Sequence, residues 1–186
     1  MTGERKRRGL MIALVIALAA VAIVAAAAYL PRRHRARVAH PDDLEFYAGG
    51  TAISLAKHNK VIVLMGTLGD KGAGGWPCVA AVRKRLQLET AKIAGYSDVV
   101  FLRHPDQGLG EASAYPGEVQ AAFERYKPTI VLTFDAADEA RGYRHVDHEA
   151  AGRTAAAVAM ELGGVTLYLF SSSAGRDRRL RPGRQD

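Results

Sequence analysis

The sequence predicts an α/β domain with a Rossmann-like, mostly parallel sheet flanked by helices, preceded by one N-terminal transmembrane helix. Two observations predict this arrangement. After residue 38, short apolar segments rich in β-branched residues alternate with longer segments of helical period, a pattern typical of βαβ units and a parallel sheet. Before it, residues 9–30 contain no charged residue and are almost entirely apolar. The length of 186 residues suits one main folded domain.

Residues 9–30 are predicted to cross a membrane once. About 20 apolar residues at a rise of about 1.5 Å span the roughly 30 Å hydrocarbon core of a bilayer, and a soluble helix of this length would carry a polar face. A cleaved signal peptide is the alternative, because residues 22–28 offer small-residue cleavage sites, but the apolar stretch exceeds the usual length of about 7–15 residues. We therefore expect a single-pass anchor surrounded by lipid in the cell membrane. Four basic residues lie on each side of the span, so the charge count does not decide the orientation. The extracytoplasmic side is slightly favoured for the domain, since short basic amino tails usually stay inside.

The net charge of +7 is carried by the ends of the chain. Half of the 26 Lys and Arg residues lie in a basic N-terminal tail (1–8), a basic juxtamembrane linker (31–37) and a basic tail predicted to be disordered (173–186). The folded domain is predicted at residues 38–172, and residues 38–175 hold 13 basic and 16 acidic residues. This distribution argues against a basic groove that follows phosphates, so we expect no nucleic-acid partner.

The predicted elements follow in order along the domain. A first strand near residues 36–39 is expected to be short, because Arg35 and Arg37 leave few residues that can be buried without burying a charge. Right-handed crossovers put the carboxyl ends of parallel strands on one edge of the sheet, where ligands bind in open α/β sheets. Further strands are predicted at residues 61–65, 99–102, 130–134 and 165–170, and helices at residues 44–58, 79–94, 117–126 and 148–162.

A first polar cluster, His-Pro-Asp-Asp at residues 40–43, follows the first predicted strand. The three-residue offset places His40 and Asp43 on one side of a turn, where both can bind the same ion. Asp42 points elsewhere and stays free for proton transfer. Alternatively, an Asp pair before a helix is often an N-cap with a first-turn charge.

A second polar cluster, His-Val-Asp-His at residues 145–148, follows the predicted strand 130–134 and opens a helix. His145 and His148 could be solvated helix-start residues, but two such clusters at matching strand ends favour a shared site. Neutral imidazoles and carboxylates suit Zn²⁺ with an open position for a water that loses its proton near neutral pH. Fe²⁺ or Mn²⁺ are alternatives. Because Cys78 is the only cysteine, a cysteine-rich metal site is excluded.

With these two motifs the chain resembles the LmbE-like, or PIG-L, family of zinc-dependent N-deacetylases, which includes enzymes acting on N-acetylglucosaminyl lipids and thiol precursors. The resemblance covers about residues 36–170. It rests on Ala-His-Pro-Asp-Asp-Leu-Glu-Phe at residues 39–46, Gly-Gly-Thr at residues 49–51 and the motif at residues 145–148. It implies that His40, Asp43 and His148 are the three zinc ligands and that Asp42 is the general base.

The resemblance also implies roles for four further residues. His145 resembles the family's acid or oxyanion stabiliser, and Asp147 would orient it. Asp106 and Arg83 match positions that contact sugar hydroxyls, although both could equally be surface charges. The family tends to carry Glu three residues after this Arg, where this chain has Leu86.

The residue types and the resemblance together predict a metal-dependent hydrolase. It would remove the acetyl group of an N-acetylglucosamine-type or related acylated amine, in a small molecule or a glycan, through a zinc-activated water. The alternative is a membrane-anchored, catalytically inactive homologue that binds a metal or a sugar. The weak first strand and the short carboxyl end favour that alternative.

Overall fold

The computed structural model describes residues 33–72, 76–139, 145–170 and 181–182. Its strands are β1 (Arg33–Val38), β2 (Lys60–Thr67), β3 (Asp98–His104), β4 (Ile130–Phe134), β5 (Thr166–Phe170) and β6 (Arg181–Pro182). Its helices are α1 (Asp43–Ala56), α2 (Val79–Ala94), α3 (Tyr115–Tyr126), α4 (Ala136–Glu139) and α5 (Val146–Leu162).

The strands form one six-stranded sheet in the order β3-β2-β1-β4-β5-β6. Strands β1 to β5 are parallel, and β6 pairs antiparallel with β5. The predicted α/β class with a mostly parallel sheet is therefore confirmed. The strand order reverses at β1 and β4, and a crevice at such a switch point, outside the carboxyl ends of the strands, is where ligands bind in this class of fold.

The core lies on both faces of the central strands. Val61, Val63 and Met65 of β2 are almost fully buried, as are Val131 and Phe134 of β4. Helices cover both faces of a parallel sheet, which is why these strands are continuous apolar runs rather than alternating ones. Their apolar side chains therefore keep these two strands in the interior, and their carboxyl ends carry the loops described below.

Strand β1 is longer than expected. It is predicted near residues 36–39, whereas it covers Arg33–Val38 and begins inside the segment predicted as a linker, residues 31–37. Its backbone pairs with β2 on one side, where Val38 lies opposite Met65, and with β4 on the other, where Ala36 lies opposite Leu132. Ladder hydrogen bonds on both sides hold a central strand whose sequence is only weakly apolar.

The structure describes two residues of the predicted tail and none of the predicted anchor. Within the tail predicted to be disordered, residues 173–186, Arg181 and Pro182 pair with β5. A short partner of this kind satisfies backbone groups that an edge strand leaves open. The predicted span, residues 9–30, lies outside the described residues, and no helix in the described part of the chain is long and apolar enough to cross a bilayer.

Helix α5 lies unusually close to the end of β4. A Cβ atom built on Gly152 would lie 2.5 Å from the carbonyl oxygen of Phe134 and 3.1 Å from the backbone nitrogen of Ala136. Both neighbours are backbone atoms, so neither can move aside as a flexible side chain would. The absence of a side chain at Gly152 therefore allows this close approach of the helix that begins with the second polar cluster.

We expect Gly152→Ala to destabilise the protein by about 1–3 kcal/mol, because overpacking forces backbone shifts. Chemical denaturation of the two proteins measures the difference. The matched control is Gly117→Ala in α3, where an added Cβ meets nothing within 4 Å. That change should be neutral or stabilising by up to about 1 kcal/mol, as alanine is the better helix former. Equal stabilities of the two variants would contradict the close contact.

Candidate active site

The two polar clusters meet at the carboxyl edge of the sheet. His40 follows β1 by two residues, and His145 is the N-cap of α5. Asp106 follows β3 by two residues and belongs to a third loop at the same edge. The site is therefore built from loops whose positions the parallel strand order dictates.

Three imidazoles form the centre of the site. The ring centroids of His40 and His145 are 4.5 Å apart, those of His145 and His148 are 4.6 Å apart, and those of His40 and His148 are 5.3 Å apart. One nitrogen from each ring lies within 4.8 Å of one nitrogen of each other ring, close enough to share an ion. His40 and His148 are buried, while His145 is half-buried.

Asp43 joins two of these imidazoles. Its carboxylate lies 3.4 Å from His40 Nδ1 through one oxygen and 3.4 Å from His148 Nε2 through the other. The backbone N–H groups of Ala39 and His40 donate to Asp43 Oδ2 at 3.1 and 2.8 Å, which fixes the carboxylate at the start of α1. Burial disfavours the charged carboxylate, but hydrogen bonds with His148 and His40 hold the pKa of Asp43 well below its usual range.

The opposite nitrogen of His40 faces two further carboxylates. His40 Nε2 lies 3.1 Å from Asp106 Oδ1 and 3.1 Å from Asp147 Oδ2. Burial alone would lower the pKa of His40, but hydrogen bonds with Asp147 and Asp43 and the charges of Asp43 and Asp106 raise it to about 10. The carboxylates of Asp43, Asp106 and Asp147 thus stabilise a positive charge at His40. That charge is carried by a proton on the ring or by a cation bound to it.

In the described contacts the carboxylate of Asp147 bonds to His40 and not to His145, the residue that it was expected to orient. This carboxylate also accepts from the backbone N–H groups of Gln107 at 2.7 Å and Leu109 at 3.0 Å. These bonds keep the side chain of Asp147 ionised, because they lower its pKa although burial opposes this. Only the backbone N–H of Asp147 reaches His145, at 3.3 Å from Nδ1. Asp147 therefore joins the loop after β3 to His40.

His145 is held in one tautomer by that backbone contact. Because Nδ1 accepts a hydrogen bond from Asp147 N–H, the ring proton of neutral His145 lies on Nε2. Burial, followed by the neighbouring charges of His40 and His148, lowers the pKa of His145. A neutral imidazole with a defined N–H donor is suited to bind a developing oxyanion.

His148 is positioned by packing against aromatic rings. Its ring stacks on Phe134 with centroids 3.8 Å apart and planes 9° apart, and it meets the edge of Tyr47 at 6.1 Å. Tyr47 in turn stacks on Phe170 at 5.8 Å. The last residues of β4 and β5 therefore form an apolar wall that fixes the orientation of this imidazole.

Asp42 and Arg83 pair with each other at the rim of the site. Arg83 Nη2 donates to Asp42 Oδ1 at 2.9 Å, and the Asp42 side chain is 75% exposed. Asp42 therefore forms an ion pair with Arg83 that the sequence analysis did not predict. Surrounding protein atoms remove part of its hydration, which raises the pKa of Asp42, and Arg83 opposes the shift.

The two residues matched to sugar contacts, Arg83 at the rim and the buried Asp106, both bond to protein groups. Arg83 donates to the carbonyl of Pro41 at 2.6 Å and to that of Gly69 at 3.4 Å. Asp106 is only 4% exposed and bonds to His40 and to the backbone N–H of Lys71 at 3.1 Å. In the described arrangement both side chains hold the loops around the site in place through hydrogen bonds to protein groups.

The donor set fits a divalent metal. The carboxylate of Asp43 lies 3.4 Å from a nitrogen of His40 and 3.4 Å from a nitrogen of His148. Among the described residues, His40, His145 and His148 form a group close enough to share an ion, and Asp43 belongs to neither of the groups found there. Nitrogen and oxygen donors of this kind suit Zn²⁺, and also Fe²⁺ or Mn²⁺. The carboxylates beyond His40 Nε2 match the outer partners that commonly orient a metal-binding imidazole. His40 with Asp106 and Asp147 is a second group close enough to share an ion.

We expect the metal-free protein to lose stability as the pH rises from about 6.5, the pKa of His in an unfolded chain. The pKa of His40 is raised to about 10 in the folded chain. The contribution of this shift to the free energy of unfolding is therefore complete below about pH 6.5 and is lost as the pH rises towards the pKa of the folded chain. Thermal unfolding of chelator-treated protein across this range measures the loss. His40→Gln should flatten the profile, and an equal slope in that variant would assign the loss to another group.

A parallel sheet of this order, with imidazoles and carboxylates at its switch point, defines an α/β protein with a candidate divalent-metal site. The family model described as PIG-L, GlcNAc-PI de-N-acetylase, matches residues 36–159. The chain belongs to this family, as its two motifs predicted. A comparison with curated sequences finds no significant match.

Solved structures with the same fold include proteins of different activity. N,N'-diacetylchitobiose deacetylase from Pyrococcus horikoshii aligns with a TM-score of 0.69 at 20% identity, over 78% of this chain and 62% of that one. The conserved protein TT1542 from Thermus thermophilus aligns at 0.64 with 26% identity, over 78% and 69%. GalB, the 4-carboxy-2-hydroxymuconate hydratase from Pseudomonas putida, aligns at 0.64 with 20% identity, over 75% and 65%. This chain thus spans 62% of the length of the Pyrococcus deacetylase.

Sequence reasoning missed two polar residues that support the site. Gln87 of α2 accepts a hydrogen bond from the backbone N–H of Asp42 at 3.0 Å. Asp70 accepts one from the backbone N–H of Asp106 at 3.1 Å. Gln87 follows Arg83 by four residues and so lies on the same helix face, which was a usable signal. Asp70 lies in a glycine-rich loop with no periodic signal.

Proposed function

We propose that this chain is a divalent-metal-dependent N-deacetylase acting on an acetylated amino sugar of the N-acetylglucosamine type. The observation that carries the proposal is the convergence of His40 and His148 on the carboxylate of Asp43, each at 3.4 Å. Membership of the PIG-L family supports the same reaction class. The expected ion is Zn²⁺, held by these three residues.

The chemistry supplied by a bound divalent ion is acidification of a water molecule and polarisation of the acyl carbonyl. Asp42 accepts the proton of the attacking water as its oxygen forms a bond to the carbonyl carbon. The pairing of Asp42 with Arg83 at 2.9 Å keeps the carboxylate in one orientation for this transfer. That proton then passes to the amine nitrogen as the carbon–nitrogen bond breaks, and the second proton of the water also ends on the amine, so that acetate and a protonated amine leave.

His145 stabilises the oxygen that becomes negative during the attack. Its ring is neutral, because its pKa is lowered, and its proton lies on Nε2. A neutral donor can bind an oxyanion without holding a competing charge in the resting site. Asp147 acts on this arrangement through its backbone N–H, and its carboxylate orients His40.

A direct test measures metal and turnover together. The full chain, solubilised in detergent, is incubated with a panel of N-acetylglucosaminides and an amine-reactive probe, with and without a chelator. Amine release that the chelator abolishes and Zn²⁺ restores supports the deacetylase. Stoichiometric metal without amine release would favour the alternative, an inactive homologue that binds a metal or a sugar.

We also propose that residues 9–30 anchor the chain in the cell membrane as a single span. Their uninterrupted apolar character and their length support this. After extraction of membranes with alkaline carbonate, the full chain should stay in the pellet, whereas peripheral proteins are released. Recovery of the chain in the supernatant would overturn the anchor without affecting the proposed chemistry.

A further inference from the structure

The backbone at Asp42 has an unusual conformation for a residue with a side chain. Its φ of 87° and ψ of −22° lie in the left-handed region, directly before α1. Such a conformation is costly for a residue other than glycine and persists only where neighbouring groups enforce it. Asp42 is also the residue to which the proton transfer is assigned above, so the groups that enforce its backbone bear on catalysis.

Both polar groups of one peptide unit are held by side chains of α2. In the peptide between Pro41 and Asp42, the carbonyl oxygen accepts from Arg83 Nη2 at 2.6 Å, and the N–H donates to Gln87 Oε1 at 3.0 Å. Arg83 and Gln87 lie four residues apart and hence on one face of the helix. With both its groups bonded to the same helix, this peptide plane cannot rotate without breaking two hydrogen bonds.

The orientation of the Gln87 amide is itself fixed. Gln87 is 3% exposed, and its Nε2 donates to Glu45 Oε1 at 3.1 Å. If the amide were reversed, its NH₂ group would face the N–H of Asp42 and its oxygen would face the carboxylate of Glu45. Only the observed orientation satisfies both neighbours, so Glu45 keeps the oxygen of Gln87 directed at Asp42.

We propose that Gln87 is a positioning residue for Asp42, held by Glu45, which maintains the left-handed backbone that presents the Asp42 carboxylate to the reaction. The inference rests on the proposed deacetylase function for its catalytic part and on hydrogen bonding for its structural part. Gln87 acts through the Asp42 backbone and touches neither the metal ligands nor the reacting atoms. Its loss should therefore affect turnover more than substrate binding or metal content.

The first test compares Gln87→Met with the wild-type full chain. Methionine fills a similar volume without the amide, so kcat should fall about tenfold or more, while KM and bound zinc per chain change less than about twofold. Gln120→Met in α3, a matched change away from the site, should leave all three unchanged. Unchanged kcat in the Gln87 variant, with normal zinc, would overturn the proposal.

A second variant covers the case in which Gln87→Met fails to fold. Gln87→Glu alone puts a carboxylate against Glu45 and should lower kcat. The double variant Gln87→Glu with Glu45→Gln exchanges donor and acceptor, and it again offers an oxygen to the N–H of Asp42. Recovery of kcat to within a few-fold of wild type supports the positioning role. A double variant as slow as Gln87→Glu alone would contradict it.

Amide hydrogen exchange separates this inference from the proposed function. The Asp42 amide should be protected in the wild type, exchange at least about tenfold faster in Gln87→Met and be protected again in the double variant. If the three proteins show this exchange pattern but the wild-type chain deacetylates no substrate of the panel, the positioning of the Asp42 backbone by Gln87 is supported and the proposed function fails. An unprotected Asp42 amide in the wild type would refute the positioning role even in an active enzyme.

Discussion

Asp42→Asn is expected to lower the rate of deacetylation by at least about 100-fold, the usual contribution of a general base. Asparagine has the same shape and also tolerates the left-handed backbone found at this position. It can no longer accept the proton of the attacking water. The metal ligands His40, Asp43 and His148 are unchanged, so bound zinc per chain should stay at the wild-type value.

The experiment measures amine release and zinc content on the same preparation. Glu89→Gln is the matched control, because Glu89 is an exposed acid on α2 that pairs only with Arg85, at 3.9 Å, in the described contacts. It should retain wild-type activity. Loss of zinc in Asp42→Asn would show that Asp42 is a ligand and not a base. Retention of full activity would remove it from the mechanism altogether.

His148→Ala is expected to empty the metal site and to abolish activity. Loss of an outer residue that only orients a ligand typically weakens metal binding by about 10–100-fold, and removal of a ligand should exceed that range. The ring also stacks on Phe134 at 3.8 Å, so some loss of stability is expected as well. Competition with a chromogenic chelator measures the change in zinc affinity.

His104→Ala is the control for the loss of a partly buried imidazole. His104 ends β3 and bonds to Glu118 at 2.5 Å, and it belongs to neither of the ligand groups found in the described residues. The variant His104→Ala should be less stable than the wild type but should bind the same amount of zinc per chain. If His148→Ala kept a full complement of zinc, the assignment of ligands to His40, Asp43 and His148 would be wrong.

Much of the fold follows from periodicity. The helix predicted at residues 79–94 and the strand predicted at residues 130–134 have the bounds found in the structure. Both have a clear pattern and a marked end, such as the left-handed Gly95 after the helix. The start of β1 was missed because its residues are mostly charged and its stability comes from pairing with two neighbouring strands. Local pattern contains no information about such pairing.

The candidate site was predictable as far as neighbouring residues form it. His40 and Asp43 lie within one turn, so their convergence follows from spacing alone. The contact between His40 and Asp147, 107 residues apart, depends on how loops from different strands meet. The same holds for Arg83 and Asp42, which are 41 residues apart. Residue types identified the members of the site, and the tertiary structure decided which of them touch.

The left-handed backbone of Asp42 has an evolutionary consequence. Glycine adopts this conformation without steric cost, so a change of Asp42 to glycine would remove the carboxylate and relieve backbone strain in one step. Without selection, mutation to glycine would then give a more stable protein that still binds its metal ion but no longer catalyses the reaction. Selection for the reaction would act against that change, so the residue at this position is the first to inspect when active and inactive members of the family are separated.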